Sequence, residues 1–445
     1  MGGTEVRRTS RGIRVALCLA IAALLATAGL ATTGGAAVPA ADPGVTAKTI
    51  TLGFIYPETG VAASISQYGL KAFQARVDRQ NAQGGVNGRK IEVVARDDKS
   101  SPQNLTMAQD LVENEHVFAV VNESPFAFVT YRWLLEQGVP MIGNGVDGTY
   151  YQEKGNEDIL SSTGNGNPFG DLTYDGPARL MKMVGVKKAS VLAYGVATSS
   201  VASAKAFMKY AVPGLGLDPA YINTAVDFGS SDVGSPVLGI KNAGADGVYL
   251  PMAAATNVAV AQGLVQNDAN MKATIMGTGY GQDFLDSPAA KALPSSTYFT
   301  LGGKPIELYD AATKQFQADL KKYSKFTGVP DYGMYQGYIL ADFAIAGLEK
   351  AGNPPTHQGL IDGAHGLGEY DQAGLACQPV DVSLAGRGKI PKTSCGYFVR
   401  LVNGKFVPFP KSGKPIKAKL VGSPEALAAA ESGVTATTTA APAAP

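Results

Sequence analysis

At 445 residues, 45% of them apolar and 17% charged, the chain is long enough for two or more domains with sizeable cores and too poor in charge to be disordered. The formal net charge of +1 leaves no bulk excess to draw it to nucleic acid or to an anionic surface, and no local basic patch stands out.

Residues 1–41 read as a signal peptide. Arg7, Arg8, Arg11 and Arg14 form a basic start, Val15–Ala31 is apolar, and small residues follow, with cleavage expected after Ala37 or Ala40. Leu17 stands before Cys18 where lipidation needs a small residue, and Arg7-Arg8 lacks the apolar positions of a twin-arginine signal. Ile13–Ala31 is just long enough to span a bilayer, so an uncleaved anchor is the alternative to cleavage.

Thr49–Tyr56 is a β-branched strand, and Ser64–Asn81 a helix with Ser64 and Gln67 as capping box and Leu70, Phe73 and Val77 on one face. Gly84-Gly85 stops that helix. After the turn at Asn87-Gly88, the strand Lys90–Ala95 runs into the polar residues Arg96-Asp97-Asp98, and Ser100, Pro102 and Gln103 are expected to open a capped helix. The step is a βαβ unit of a parallel sheet. It recurs through strand Val117–Val121, helix Phe126–Gln137, strand Val139–Ile142 and a closing Ile159–Ser162. The Gly- and Asn-rich stretch 164–171 reads as a first hinge crossing. The rhythm then restarts with strands at Ala189–Tyr194, Tyr221–Val226, Gly247–Pro251 and Ala273–Gly277, and helices at Val201–Val212 and Asn257–Asn267. Thr297–Leu301 with Gly302-Gly303 is a second crossing, and the helices Leu308–Phe326 and Met334–Ala351 return to the first lobe. Tyr397–Val402 and Lys405–Phe409 form a hairpin about Asn403-Gly404. The fold class is α/β: two doubly wound, Rossmann-like lobes with a three-crossing hinge. The first lobe is expected over 47–163 and 302–368, the second over 164–301 and 369–422, with 423–445 a disordered Ala/Thr/Pro tail.

Of three cysteines, Cys18 falls in the leader. Cys377 and Cys395, in an exported chain, read as one disulfide worth roughly 3 kcal/mol in the chain-entropy picture, with two free buried thiols or half of a zinc site as alternatives.

No H-E-x-x-H, G-x-S-x-G, S-x-x-K or P-loop occurs, and neither Gly164-Asn165-Gly166 nor Gly277-Thr278-Gly279 has dinucleotide spacing. No cofactor is therefore expected. His357 and His365, with Asp362 between them, are read as solvated loop residues rather than metal ligands. Open α/β sheets bind ligands beyond the carboxyl ends of their strands. In the first lobe that rule selects Tyr56, Asn122, Glu123, Ser124, Asn144, Gly145 and Asp147, with Tyr68 at the start of the next helix. In the second it selects Tyr194, Thr198, Ala253, Thr278, Gly279 and Tyr280. At any one of these positions a turn former or helix cap is the competing reading.

The segment GGVNGRKIEVVARDDKSSPQN, together with TLGFIYPETG and QYGLKAF, resembles the branched-chain amino-acid-binding family of type I periplasmic binding proteins, over about Thr49 to Pro408. The resemblance implies capture of a small organic solute by closure of two lobes, delivery to an ABC permease, an extracytoplasmic location and no catalysis. The solute would be a branched-chain or other small amino acid, or a related amide or carboxylate. The chain is expected to act as a monomer, without nucleic acid. The resemblance further implies that Asn122–Ser124 and Gly145–Asp147 hold a ligand carboxylate and that Tyr68 stacks on the ligand. Where the family places an acid for the ligand's ammonium this chain has Gly279, and where it has a tyrosine this chain has Ala253. Glu123 or Asp147 is then expected to supply the counter-charge, unless the ligand is not an α-amino acid. The rival readings are a ligand-sensing receptor module and an α/β enzyme; the latter would need a nucleophile–base pair, which the sequence does not offer.

Overall fold

The chain divides into two units, Met1–Ala41 and Asp42–Pro445. The computed structural model describes residues 1–2, 41–101, 103–145, 148–151, 153–164, 170–196 and 198–433. Nearly all of the expected leader, Asp147, and residues 434–445 of the tail therefore lie outside the described residues.

The first sheet is parallel throughout. Its strands are β1 (Thr49–Tyr56), β2 (Lys90–Asp97), β3 (Ala119–Asn122), β4 (Met141–Gly143) and β5 (Ile159–Ser161), in the order β2-β1-β3-β4-β5. Helices cover both faces, which is why β3, β4 and β5 are buried at every residue and read as short apolar runs. The second sheet starts with β6 (Leu172–Tyr174), β7 (Lys188–Tyr194), β8 (Asp218–Val226), β9 (Gly247–Leu250), β10 (Ala273–Met276) and β11 (Thr297–Leu301). A short ribbon, β12 (Glu369–Tyr370) with β13 (Val380–Asp381), stands apart. The chain then adds β14 (Thr393–Val402), β15 (Lys405–Phe409) and β16 (Ile416–Gly422) to the second sheet. Its order is β6-β16-β14-β11-β10-β9-β7-β8 with β15 beside β14, parallel from β8 to β11 and antiparallel beyond. The chain passes between the two sheets after β5, after β11 and between β13 and β14. These are the three crossings of a two-lobed α/β fold.

Five helices position the mouth between the lobes: α1 (Gly69–Ala82), α2 (Gln103–Gln109), α3 (Tyr131–Gln137), α4 (Ala254–Gln266) and, further on, α6 (Tyr332–Lys350), which follows α5 (Ala311–Ser324). Helix α6 carries apolar residues around most of its surface and is buried almost end to end. It packs along α1 at very close range. A Cβ on Gly337 would overlap the carbonyl of Gly69, and one on Gly333 would stand 2.7 Å from Cα of Ser66. Glycines one turn apart on α6 thus fix where segment 63–69 lies. Ion pairs from Arg76 to Asp342 (2.8 Å) and from Arg79 to Asp319 (2.7 Å) tie α1 to α6 and α5.

Several expectations are corrected. The helix expected over Ser64–Asn81 is broken at Gln67-Tyr68 into Ala63–Ser66 and α1. Ser100 does not cap α2: it lies at φ 58° and bonds back to Ala62 and Thr59, while Ser101 accepts the hydrogen bond from the amide of Gln103. The helix expected over Phe126–Gln137 is interrupted at Thr130, whose hydroxyl is drawn into a buried network. His357 and His365 sit at the two ends of a helix, α7 (His357–His365), capped by the hydroxyl of Thr356. Ser423 caps α8 (Pro424–Ser432), so the tail is ordered for a further nine residues. Residues 369–388, expected with the second lobe, pack on the first. The Tyr370 hydroxyl bonds the Ile339 carbonyl and Asp342 of α6, and the amide of Gly386 bonds the carbonyl of Tyr151. The disulfide Cys377–Cys395 is present, and it joins that segment to β14 across the third crossing.

Candidate functional site

The parallel strands of both sheets end at one seam, and the seam is closed. Phe126, beyond β3, meets Phe228 of the second lobe edge-on at 5.8 Å, and Phe228 packs on Tyr194 at 4.5 Å. Ile65 inserts against the second lobe's cluster containing Tyr194, Met252 and Ala253. A Cβ on Gly229 would stand 2.9 Å from Cβ of Val61.

Behind the seam, within the first lobe, lies a buried polar network. Asp98 accepts hydrogen bonds from the amide of Ser100, the side-chain amide of Asn104 and the hydroxyl of Ser124. Asn104 and Asn122 exchange side-chain hydrogen bonds (2.8 and 3.2 Å), and Thr130 donates to Asn104 at 2.6 Å. Asn122 and Ser124 are thus committed to the fold, which corrects their expected place in a ligand-carboxylate cluster. Alternation along an extended chain explains the split, since residues 122 and 124 point to one side and 123 to the other.

Glu123 faces the seam. It is 2% exposed, and neither carboxylate oxygen has a hydrogen-bond partner. Its carboxylate lies against the first residue of α1, where any Cβ on Gly69 would run into it. Burial pushes its pKa well above the carboxylate range. The Asp331 carboxyl pushes the same way, and the Ser66 hydroxyl opposes them. Ser66, itself 1% exposed, completes no hydrogen bond, and the hydroxyl of Ser64 beside it also has no partner. Asp331 caps α6 by accepting from the amide of Met334 at 2.8 Å. Burial carries its pKa up to about 7, helped by Asp283 and opposed by the Met334 bond and by Lys71. The Nζ of Lys71 lies over the ring of Tyr68, 4.9 Å from its centroid. Tyr56, at the end of β1, is buried, and its phenol is pushed upward by burial first, then by Glu58, Asp97 and Glu123.

On the other side, Tyr194 donates to Thr256 and accepts from the amide of Ala253, each at 3.0 Å. Asn257 donates to the carbonyls of Met252 (2.8 Å) and Thr278 (3.2 Å), which leaves its buried Oδ1 unpartnered. Thr278 donates to the Met252 carbonyl at 2.7 Å. It lines a narrow cavity with Tyr280, Thr300, Gly302, Tyr332 and Tyr335 that has room for about one water. Gln336 adjoins Gly302, its Oε1 buried and unpartnered. Tyr280 is turned to Glu307, bonding it at 2.8 Å. Gly279 takes φ 116°, a backbone conformation suited to glycine, with Phe299 and the Ala254 methyl beside it. Asn144 holds the Thr163 hydroxyl through its carbonyl at 2.7 Å, and Gly145 turns at φ 72°. Thr198 opens the helix Thr198–Ala206.

Of the residues selected from the sequence, Glu123 and the strand ends lie at this mouth; Ser66, Asn257, Asp331 and Gln336, which lie there too, were not selected. Asp331 had a readable signal, an aspartate three residues before Met334 where an apolar helix begins. Ser66 had none, because its role depends on the glycines of α6.

The sequence matches the periplasmic binding protein family over residues 49–405. The chain belongs to that family. It is 24% identical over 71% of its length to a Leu/Ile/Val-binding protein homologue of Brucella melitensis, matching 83% of that protein. It is 27% identical to another from Brucella suis, over 52% of this chain and 55% of that one. Among solved structures, a fatty acid ABC transporter substrate-binding protein from Thermomonospora curvata superposes with a TM-score of 0.67 at 23% identity, covering 83% of this chain and 93% of that one. The branched-chain amino acid transporter protein LivJ from Streptococcus pneumoniae, in complex with isoleucine, gives 0.65 at 19% identity over 83% and 100%. A solute binding protein of R. palustris in complex with 4-hydroxybenzoate gives 0.66 at 18% over 83% and 97%. Periplasmic binding proteins are extracytoplasmic and bind small molecules without transforming them, so this chain is a binding protein and not an enzyme.

Among the described residues no group of His, Cys, Asp and Glu is placed to hold a metal. His357 and His365, at opposite ends of α7, are too far apart to share an ion. His365 bonds the Glu157 carbonyl at 2.8 Å and lines a surface cavity of about 420 Å³ with Asp158, Asp362 and Arg387, at the amino ends of the first-lobe strands and away from the seam. Among the described residues no helix is long and apolar enough to cross a membrane.

Proposed function

We propose that the chain is the solute receptor of an ABC importer. It captures a small organic solute at the seam and, once closed, presents it to a membrane permease. The solute is a branched-chain or other small amino acid, or a related amide or carboxylate. The observation that carries this reading is the set of buried polar atoms without partners on both sides of the seam: Glu123, Ser64, Ser66 and Gln336 from the first lobe, and Asn257 from the second. A buried polar group without a partner costs about 1–3 kcal/mol, so the closed form gains whatever a bound solute restores to these groups. The three crossings are short enough to act as a hinge, and closure tracks the solute's preference for the closed state. The leader over 1–41 is cleaved on export in this reading, and the mature protein works as a monomer without nucleic acid.

The test is mass spectrometry of solute released on denaturing the purified mature protein, with a thermal-shift series against candidate solutes. A stoichiometric small organic solute, and a melting temperature that climbs with its concentration, are expected. A solute chemically altered on incubation would overturn the reading, as would a melting temperature indifferent to every solute tried.

A further inference from the structure

Resting on that reading, we infer that the contact between the short helix Gln282–Asp286 of the second lobe and residues 328–331 of the first is a latch on the closed form, which the facing carboxyls of Asp283 and Asp331 release as pH rises. The helix belongs to the second lobe, because Phe284 packs on Phe299 of β11 and Phe406 of β15. Residues 328–331 belong to the first, because they lead into α6, which Asp331 caps.

The contact is reciprocal and close. The amide of Gln282 donates to the Val329 carbonyl at 2.9 Å, and the amide of Val329 donates to Oε1 of Gln282 at 3.1 Å. A Cβ on Gly328 would stand 2.7 Å from Cγ of Gln282. Beside these bonds two acids meet across the lobes: a Cβ on Gly281 would stand 2.7 Å from Oδ1 of Asp283 and 2.9 Å from Cβ of Asp331. The other groups around Asp331 do not neutralise the pair. Helix α6 brings the Met334 amide, α1 brings Lys71, whose Nζ is laid over Tyr68, and the end of β3 brings a further acid, Glu123. Segment 63–66 brings the uncharged hydroxyl of Ser66. Glu307 of the first lobe is already answered by the hydroxyl of Tyr280.

In the closed form burial, with Asp283 adding to it, holds the carboxyl of Asp331 up to about 7. Opening withdraws both Asp283 and the cover of the second lobe, so the carboxyl falls back toward its ordinary value of 3.8. The closed form therefore keeps a proton that the open form gives up. The closed-to-open ratio is greatest at low pH, falls as pH rises from about 4 to about 7, and levels off above that. The hydrogen bonds between Gln282 and Val329 hold the lobes together at every pH, and the two carboxyls decide how firmly.

The test uses the full mature chain with spin labels on Glu113→Cys and Lys241→Cys. Both positions are exposed and lie ahead of strands β3 and β9, at the ends of the two lobes away from the seam. The distance distribution between the labels is recorded by electron–electron double resonance from pH 4.5 to pH 8.5 with no solute added. It is repeated in Asp331→Asn, Asp283→Asn and Glu123→Gln, each first checked for an intact cooperative melt. Asparagine at 331 keeps the cap to Met334 and carries no charge. The expected result is a short-distance population whose ratio to the long one falls about tenfold or more between pH 5 and pH 8. D331N should remove that fall, D283N should reduce it, and E123Q should keep it. A distribution indifferent to pH, a fall that survives D331N, or one that vanishes in E123Q would overturn the latch. If the protein still releases a stoichiometric solute on denaturation, capture at the seam stands without the latch; if it releases none and its melting temperature answers to no solute, both fall.

Discussion

Asn122 and Glu123 are neighbours in sequence, equally buried, and opposite in circumstance. Asn122 sits in a network in which Asp98, Asn104, Ser124 and Thr130 answer one another's hydrogen bonds. Glu123 faces a seam where no hydrogen bond reaches either carboxylate oxygen. The first arrangement is how a fold keeps polar groups inside itself; the second is how a binding protein keeps a group in reserve. In the function proposed above, the difference separates residues that hold the mouth in shape from those open to what enters it.

The contrast predicts opposite signs. Asn104→Ala should be the most damaging change, removing partners from buried Asp98, Asn122 and Thr130 together. A loss of about 3 kcal/mol in denaturant unfolding is expected, with Cm falling at constant m. A loss below about 1 kcal/mol would mean that the network is not the support described.

The second effect is a pH dependence. The folded pKa of Asp331 lies near 7, above its unfolded value, so the folded protein holds the extra proton. Its contribution is intact at low pH and is lost as pH rises from about 4 to about 7. Allowing for partial exposure, the fall is on the order of 2 kcal/mol. Asp331→Asn keeps the cap to Met334 and should flatten that slope in melts taken from pH 4 to 8. An unchanged slope would place the titration elsewhere.

The smallest effect has the reverse sign. Without solute, at a pH high enough to ionise Glu123, Glu123→Gln should stabilise the protein by about 1 kcal/mol, because a buried charge that the fold disfavours is exchanged for a neutral amide. If Glu123→Gln destabilised as Asn104→Ala does, the two neighbours would share one role and the contrast would fail.

Much of the architecture was legible because its signals are local. The apolar runs at Thr49–Tyr56 and Thr297–Leu301 are strands with the expected bounds, and Gly84-Gly85 does end a helix. The mouth was legible only as a set of strand ends. Which of Asn122, Glu123 and Ser124 turns to the seam depends on α2 supplying Asn104 on one side and segment 63–69 pressing from the other. The placement of segment 63–69 follows from Gly333 and Gly337, more than two hundred residues away. The break at Tyr68 was hidden for the same reason: propensity favours one continuous helix, and tertiary packing overrides it. Residues 369–388 were assigned to the wrong side because their irregular sequence carries no period from which packing can be read.

The disulfide gives the hinge an unusual property. Two of the three crossings are plain backbone, whereas the third is doubled by the covalent link between Cys377 and Cys395, which spans 18 residues. Sulfur chemistry therefore acts on the joint itself and not on either lobe's core. Thiols that opened the link would leave both sheets intact and lengthen one of three tethers. If the lobes close about these crossings as proposed, the oxidising power of the surroundings bears on that closure as well as the chain does.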